Sequence, residues 1–384
     1  MLNEDKLPSK GSTRQADKAI MAMRDDMSDE STLATRVTEP RDPVADLRRI
    51  AFLLERAHEA TYRVRAFRTA ASVLAGRDDL AQRATAGTLT ALSGVGEVIA
   101  RCVTESLAGE QPAYLRRLEA AEPSPMTPEV ATQAGAALRA ALRGDCHSHS
   151  DWSDGGSPIE EMAAVARELG HDYLALTDHS PRLTVARGLS AERLRQQLDV
   201  VAELNADLAP FRILTGIEVD ILDDGTLDQS DELLAALDIV VASVHSQLRM
   251  PAEQMTRRML AAVTNPHVDV LGHCTGRLIT GTRRRPESQF DAEAVFTACA
   301  RHGVAVEINS RPERLDPPKR LLRRAVEAGC LLSIDSDAHA PGQLDWQSYG
   351  CERAAACGVP VARVVNTWPV DELLNWTARH AVRQ

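Results

Sequence analysis

The chain lacks several features that would place it outside the cytoplasm. Its seven cysteines, Cys102, Cys146, Cys274, Cys299, Cys330, Cys351 and Cys357, are scattered, and no two stand in a CxxC spacing. An odd, unspaced set fits a reducing compartment better than a disulfide framework. No apolar run approaches the roughly 18 residues of a membrane span. The opening stretch "MLNEDKLPSK" is polar and has none of the apolar centre of a signal peptide. Positive charge is also in short supply, with a formal net charge of -11. That is a poor global profile for a nucleic-acid binder, although a local patch can still bind. These absences point to a soluble cytoplasmic protein. At 384 residues the chain has room for two or three domains.

Three segments and a connector divide what is there. Residues 1–43 show no periodicity, are rich in Asp, Glu, Lys, Ser and Thr, and are expected to be a disordered tail. Residues 44–122 are expected to be all-helical. "VADLRRIAFLLERA" puts apolar residues at 47, 50, 53 and 54, which is helical spacing. "YRVRAFRTAASVLAG" predicts a second helix closing at Gly76. "LTALSGVGEVIARCVTESLAG" reads as helix, tight turn at Gly94-Val95-Gly96, helix. Glycines let backbones approach closely, and free amides at the following helix start make an anion site. That combination suits a nucleic-acid phosphate. The segment holds eleven arginines against ten acidic residues, so it is not acidic as the rest is. Arg63, Arg65 and Arg68 cluster with Tyr62 and Phe67 beside them, a pattern fit for phosphate contacts or for a solvated helix face. Residues 123–141, opening "PSPMTPE", are expected to be a linker.

From 142 to 384 strand and helix patterns alternate. The strand candidates are "DCHSHS", "YLALTDH", "RILTGIEVDI", "DIVVASVH", "VDVLGHC", "VAVEIN" and "LLSIDSDAH". Seven such repeats imply parallel strands, and closure into an α/β barrel is the expected architecture. In such barrels chemistry sits where strands end.

The polar residues fall at those ends. His147 and His149 lie two apart on the first strand, so they share a face while Cys146 and Ser148 turn away. Asp154 follows, then His179, Glu218, His245, His273, Asp337 and His339 at later strand ends. Six of the eleven histidines occupy the same relative place, whereas His58, His171, His267, His302 and His380 do not. Nine donors exceed the needs of one ion and suit two or three sharing a carboxylate. A Glu on a central strand is placed to bridge. Histidine and carboxylate donors without thiolate suit Mn²⁺, Zn²⁺ or Fe²⁺.

In their order, "HSHSDWSDG", "LTDHS", "GIEVDI", "SVHSQ", "LGHCTGRL", "EINSRPERLD" and "SDAH" resemble the PHP (polymerase and histidinol phosphatase) superfamily. "LLERAHEATYRVRAFRTAASVL" and "LSGVGEVIA" resemble the small helix-hairpin-helix domain of bacterial family X DNA polymerases, which carry a PHP domain at the other end. The resemblance implies a distorted seven-stranded barrel with a trinuclear centre. It implies the nine residues above as ligands, with Mn²⁺ the expected ion and Zn²⁺ or Fe²⁺ the alternatives. The polymerase palm of those relatives is missing, because only about twenty residues join the two regions, too few for a domain.

Phosphoester hydrolysis follows from such a centre, with hydroxide activated by the metals attacking phosphorus. Glu218 and Arg277 are expected to carry the catalysis. Arg277, four residues after His273, and Arg182, three after His179, are candidate phosphate clamps, since guanidinium matches phosphate oxygens in two-point geometry. Gly94, Gly96, Arg63, Arg65 and Arg68 are the candidate DNA contacts. The reading is a DNA-processing phosphoesterase: a 3′-5′ exonuclease, a 3′-end processing enzyme or an abasic-site nuclease, without polymerisation. The alternatives are a small-molecule phosphatase acting on something like histidinol phosphate, and a non-catalytic DNA-binding adaptor.

Overall fold

Seven short strands carry the molecule: β1 (Gly144–Ser148), β2 (Tyr173–Leu176), β3 (Arg212–Asp220), β4 (Ile239–Ser243), β5 (Val270–Leu271), β6 (Ala305–Asn309) and β7 (Leu332–Asp335). They come from a computed structural model that describes residues 41–121, 131–280 and 284–380. All six neighbouring pairs are parallel, in sequence order. β1 returns to the chain beyond β7 through a parallel bridge between Ser148 and Ala338. There the His149 amide donates to the Ala338 carbonyl at 2.8 Å and the Asp337 amide donates to the His147 carbonyl at 3.0 Å. The sheet is thus a nearly closed seven-stranded barrel. Runs such as "IVVAS" are buried at every position, as parallel strands covered on both faces must be.

Alternation along the strands separates two cores. Tyr173, Ala175, Leu214, Val241, Val270 and Ala305 pack with Leu373 and Trp376 of the helix Val370–His380. Their neighbours Val240, Ala242, Leu271, Val306 and Ile308 pack outward against the surrounding helices. The register of β1 against β2 shifts between Asp145 and Ser148. Cys146 is buried in the first of these clusters, and His147 and His149 converge as their spacing predicts, their rings 5.1 Å apart.

The helical segment comprises α1 (Pro43–Arg56), α2 (Thr61–Leu74), α3 (Leu80–Thr85), α4 (Glu97–Leu107) and α5 (Ala113–Ala120). Asp42 caps α1 by accepting from the Val44 amide at 2.8 Å, and Pro43 takes the first helical position. Leu47, Ile50, Leu53, Leu54, Leu74 and Val103 form the centre of its own core. The element before the Gly94-Val95-Gly96 turn is a single 3-10 turn, Leu89–Ala91, rather than the expected α-helix. The expected tail over 1–43 lies outside the described residues up to 40, and α1 begins within its last residue. Residues 122–130 of the expected linker also lie outside them. The rest of that stretch forms α6 (Gln133–Ala141), whose Leu138 belongs to the barrel's outer core. α6 is tied to Glu352, which accepts from the Thr132 amide and hydroxyl at 2.7 Å each.

The helical segment is docked on the barrel. The Gly342 amide donates to Glu55 at 2.9 Å, and the Trp346 indole donates to the Arg56 carbonyl at 3.1 Å. A Cβ at Gly342 would lie 2.3 Å from the Phe52 carbonyl oxygen, so only glycine permits this approach. Arg68 binds both Glu55 oxygens, at 2.8 and 2.6 Å, and also reaches Glu161 of α7 (Ile159–Glu168). His58, in the left-handed region at φ 57°, contacts Glu313 at 2.8 Å and packs its ring against Trp346 at a tilt of 31°.

This last contact gives the docking a pH signature. The hydrogen bond to Glu313 raises the His58 pKa above 6.5. Burial pushes Glu313 up, but the bond to His58 and the Arg311 charge bring it down from 4.5 to about 2. The histidine's contribution to stability is full below its unfolded pKa and is lost as pH rises through the raised folded value. The carboxylate's is full above its unfolded pKa and fades towards pH 2. In a His58→Asn variant, which keeps a residue tolerant of the left-handed backbone, the stability lost relative to wild type should be largest between about pH 4.5 and 6.5. It should shrink above that window. Chemical denaturation across the pH range checks this, and a deficit that grows from pH 6 to 9 contradicts the ion-pair account.

Candidate metal centre

All nine strand-end donors meet at one end of the barrel. Glu218, at the end of β3, is 1% exposed and stands in their middle. Its Oε2 lies 2.8 Å from His179 Nδ1, 3.4 Å from His147 Nε2 and 3.6 Å from His149 Nε2. Its Oε1 lies 2.8 Å from His273 Nε2 and 3.3 Å from His245 Nε2. Each oxygen therefore faces a different set of imidazoles. Asp337 Oδ1 is 3.5 Å from both His149 and His339, and Asp154 Oδ1 is 3.5 Å from His179 and 3.4 Å from His339. The chain reverses sharply at Asp337, whose φ of 52° is unusual for a residue with a side chain.

These distances come without hydrogen-bond geometry. Both Glu218 oxygens, His147 Nε2, both nitrogens of His149, His179 Nδ1, His245 Nε2 and His273 Nδ1 are buried and lack a hydrogen-bond partner. So many orphaned polar atoms in one place are costly unless something else binds them. Three overlapping groups have ligand atoms close enough for one ion each: His149, Asp154, His179 and His339; His147, His149 and Glu218; His179, Glu218 and His245. Glu218, His149 and His179 are each shared by two groups, as in a centre whose ions lie side by side. The residues present therefore fit two or three divalent cations. His273 and Asp337 fall outside these groups and touch their edges through Glu218 and His149.

The electrostatics agree. Burial alone would raise the Glu218 pKa, but the charges of His245, His147 and His179 hold it well below the usual range. His149 is driven well below 6.5 by burial and by the neighbouring His339 and His179, so it is neutral and one ring nitrogen keeps a lone pair to offer. Asp337 also stays low despite burial, because Arg311 and His149 favour its anion.

A ring of partners that the motifs did not reveal orients the donors. Glu307 Oε1 lies 2.6 Å from His147 Nδ1, and Asp220 Oδ1 lies 3.2 Å from His245 Nδ1. Each leaves Nε2 facing Glu218, the usual arrangement behind metal-ligating histidines. Arg311 donates to the Asp337 carbonyl at 3.0 Å, and Arg314 lies 3.3 Å from the Asp337 carboxylate. The signal for these arginines was their place in "NSRPERLD", immediately after β6.

The other candidate residues divide. The Arg277 guanidinium donates to the carbonyls of Arg314, at 2.9 Å, and Leu315, with Glu287 at 3.5 Å. Arg182 is exposed, and its backbone amide is held by Asp228 at 2.6 Å. Arg68 is paired with Glu55 and Glu161 within the docking surface. Arg63 is paired with Glu59 at 2.7 Å, while Arg65 is exposed. Gly94 takes the left-handed backbone at φ 79°, and Gly96 precedes α4 with room around it for a side chain. The amides that open α4 have no acceptor within the helix.

Comparison with known proteins gives the same two halves. Residues 145–311 match the PHP domain model, and residues 40–112 match a helix-hairpin-helix domain model. The chain is 43% identical over 225 residues to the DNA polymerase/3′-5′ exonuclease PolX of Bacillus subtilis (strain 168). That match covers 59% of this chain but only 39% of the relative's length. It is 30% identical over 234 residues to a probable phosphatase of Thermoanaerobacter sp. (strain X514), covering 58% of this chain and 89% of that one. A solved structure of histidinol phosphate phosphatase from Lactococcus lactis, complexed with zinc, L-histidinol and phosphate, aligns with a TM-score of 0.41 at 18% identity. The alignment covers 57% of this chain and 94% of that one.

Two or three divalent ions per chain are expected after loading with Mn²⁺ and desalting. Glu218→Ala should lose most of the bound metal, and His302→Ala, on a helix away from the cluster, should lose none. Elemental analysis against protein concentration checks this. Equal metal content in the two variants would contradict the arrangement.

Proposed function

The chain belongs to the PHP domain family and is a phosphoester hydrolase, and from that premise we propose that it acts on DNA ends. The reading covers 3′-5′ exonuclease, 3′-end processing or abasic-site nuclease activity, without polymerisation. The observation that carries it is the docking of the helix-hairpin-helix segment onto the rim of the metal centre, through Glu55, His58 and Arg68. A small-metabolite phosphatase has no use for a DNA-backbone binder beside its site. The Bacillus relative, named for 3′-5′ exonuclease activity, supports the same substrate class.

In this account His147, His149, Asp154, His179, Glu218, His245, His273, Asp337 and His339 hold the ions, with Mn²⁺ as the proposed metal. Bound divalent ions supply Lewis acidity, lowering the pKa of water towards about 7 and neutralising phosphate charge. The chain's own residues do the positioning. Glu218 offers one oxygen to each side of the cluster. Glu307 and Asp220 fix the rings of His147 and His245, and Arg311 and Arg314 fix Asp337. Arg277, after His273, and Arg182, exposed on the loop after His179, are proposed to touch substrate phosphate. Gly94, Gly96 and the opening amides of α4 are proposed to hold a DNA phosphate, with Arg63 and Arg65 on α2, the helix whose Thr69 lies beside Gly94.

Polymerisation is excluded from the proposal by length. Only residues 122–130 stand between Ala121 and Ala131, far short of the ~50 residues of a small domain.

The test sets the Mn²⁺-loaded chain against a 3′-phosphate oligonucleotide and against histidinol phosphate. We expect kcat/KM for the oligonucleotide to exceed that for histidinol phosphate by about a hundredfold, or roughly 2.7 kcal/mol. No nucleotide should be added to a primed template. Gly96→Val, where a side chain meets nothing in the free protein, should weaken binding of DNA ends. A preference for histidinol phosphate, with unchanged DNA affinity in the variant, would favour the metabolite phosphatase that the Thermoanaerobacter relative suggests.

A further inference from the structure

We propose that the cleft between the start of α2 and the rim of the metal centre is a second phosphate subsite. Arg65 is its anchor, and it takes the phosphodiester next to the one being hydrolysed. The proposal rests on the reading above that the substrate is a polynucleotide.

The cleft has a volume of about 230 Å³ and is lined by Thr61, Val64 and Arg65 of α2 and by Asp154, His339 and Gln343 of the barrel. Two of its residues are therefore members of the metal-ligand set. The space is smaller than the ~300–1,000 Å³ of drug-sized ligand sites, which suits one nucleotide unit and not a duplex.

Charge decides what the cleft would accept. Its carboxylates already have cationic or imidazole partners. Glu55 is held by Arg68, Glu59 by Arg63, and Glu313 by His58, while Asp154 lies between His179 and His339. Its arginines are not equally engaged. Arg68 is spent on Glu55 and Glu161, and Arg311 on the Asp337 carbonyl and His339. Arg65 is exposed and makes no hydrogen bond or ion pair among the described residues. The unmatched charge on this wall is thus a single guanidinium, a group suited to two-point contact with phosphate oxygens. Asp154 and His339, at the edge of the centre, line the same cleft.

The wall is held in place, which a subsite requires. His58 is fixed on Glu313 and Trp346, and the Gly342–Phe52 approach leaves no slack between α1 and the barrel. A phosphate bound at Arg65 therefore sits at a set place relative to the metals. A strand with a neighbouring phosphate gains that contact, and a mononucleotide ester does not.

The experiment compares wild type, Arg65→Gln and Arg65→Lys in the Mn²⁺-loaded full chain. One substrate is a single-stranded oligonucleotide. The other is the 4-nitrophenyl ester of thymidine 5′-monophosphate, which has a scissile diester and no neighbouring phosphate. The ratio of kcat/KM for oligonucleotide over ester should fall at least tenfold in Arg65→Gln and less in Arg65→Lys. A second readout needs no turnover: the oligonucleotide is titrated into metal-free protein at several salt concentrations. Loss of one phosphate contact should reduce the slope of log K against log salt by about 0.7. An unchanged ratio and slope would overturn the subsite. So would an equal fall on both substrates, which would make Arg65 a support of the centre itself. Wild-type protein that cleaves the ester but not the oligonucleotide would overturn the polynucleotide reading, and the subsite with it.

Discussion

A carboxylate sealed from water at the end of β3 sets the terms for the barrel. Glu218 carries a charge with almost no exposure, and an uncompensated ion in that position would cost several kcal/mol. Five imidazoles surround it, each delivered by a strand end or the turn just beyond one. They cannot all be protonated together at such close quarters, and His149 is held neutral by its neighbours. Hydrogen bonding leaves the arrangement unsatisfied, and cations between the groups would satisfy it. Much of the surrounding structure keeps these groups in register. Strand alternation in β1 turns His147 and His149 together, the bridge from β1 to the chain after β7 brings Asp337 and His339 alongside, and Glu307 and Asp220 aim the rings.

The same end of the barrel receives the helical segment. Pro341–Trp346, which follows β7 and His339, is also the surface on which α1 sits. Metal ligands and docking contacts are thus neighbours in sequence as well as in space. Through His58, Glu313 and Arg311, the helical segment reaches side chains that touch Asp337 and His339. One consequence is that part of the arginine cluster expected to face DNA is used internally, as Arg68 is.

Much of this could be read from the chain, for physical reasons. Parallel strands buried on both faces give continuous apolar runs, so all seven were visible, and polar residues closing such runs stand out. Arg68 and Arg65 illustrate what was not visible. They lie three apart on one helix, and nothing in their spacing tells that one meets Glu55 and Glu161 while the other stays open, since that depends on how two separate cores pack. The register shift of β1 against β2 is hidden because regular pairing is the default expectation. The 3-10 turn at Leu89–Ala91 carries the same apolar spacing as a short helix. Arg277 matched the pattern of a clamp, yet the loop at Arg314 and Leu315 offers it carbonyls that no local signal announces.

The central claim is that the strand-end donors gathered around Glu218 would hold two or three divalent ions. Anomalous diffraction from crystals of the Mn²⁺-loaded chain tests it most directly. The account predicts two or three manganese peaks among the nine residues, with the two Glu218 oxygens on different ions. A single ion, or peaks away from Glu218, would contradict it.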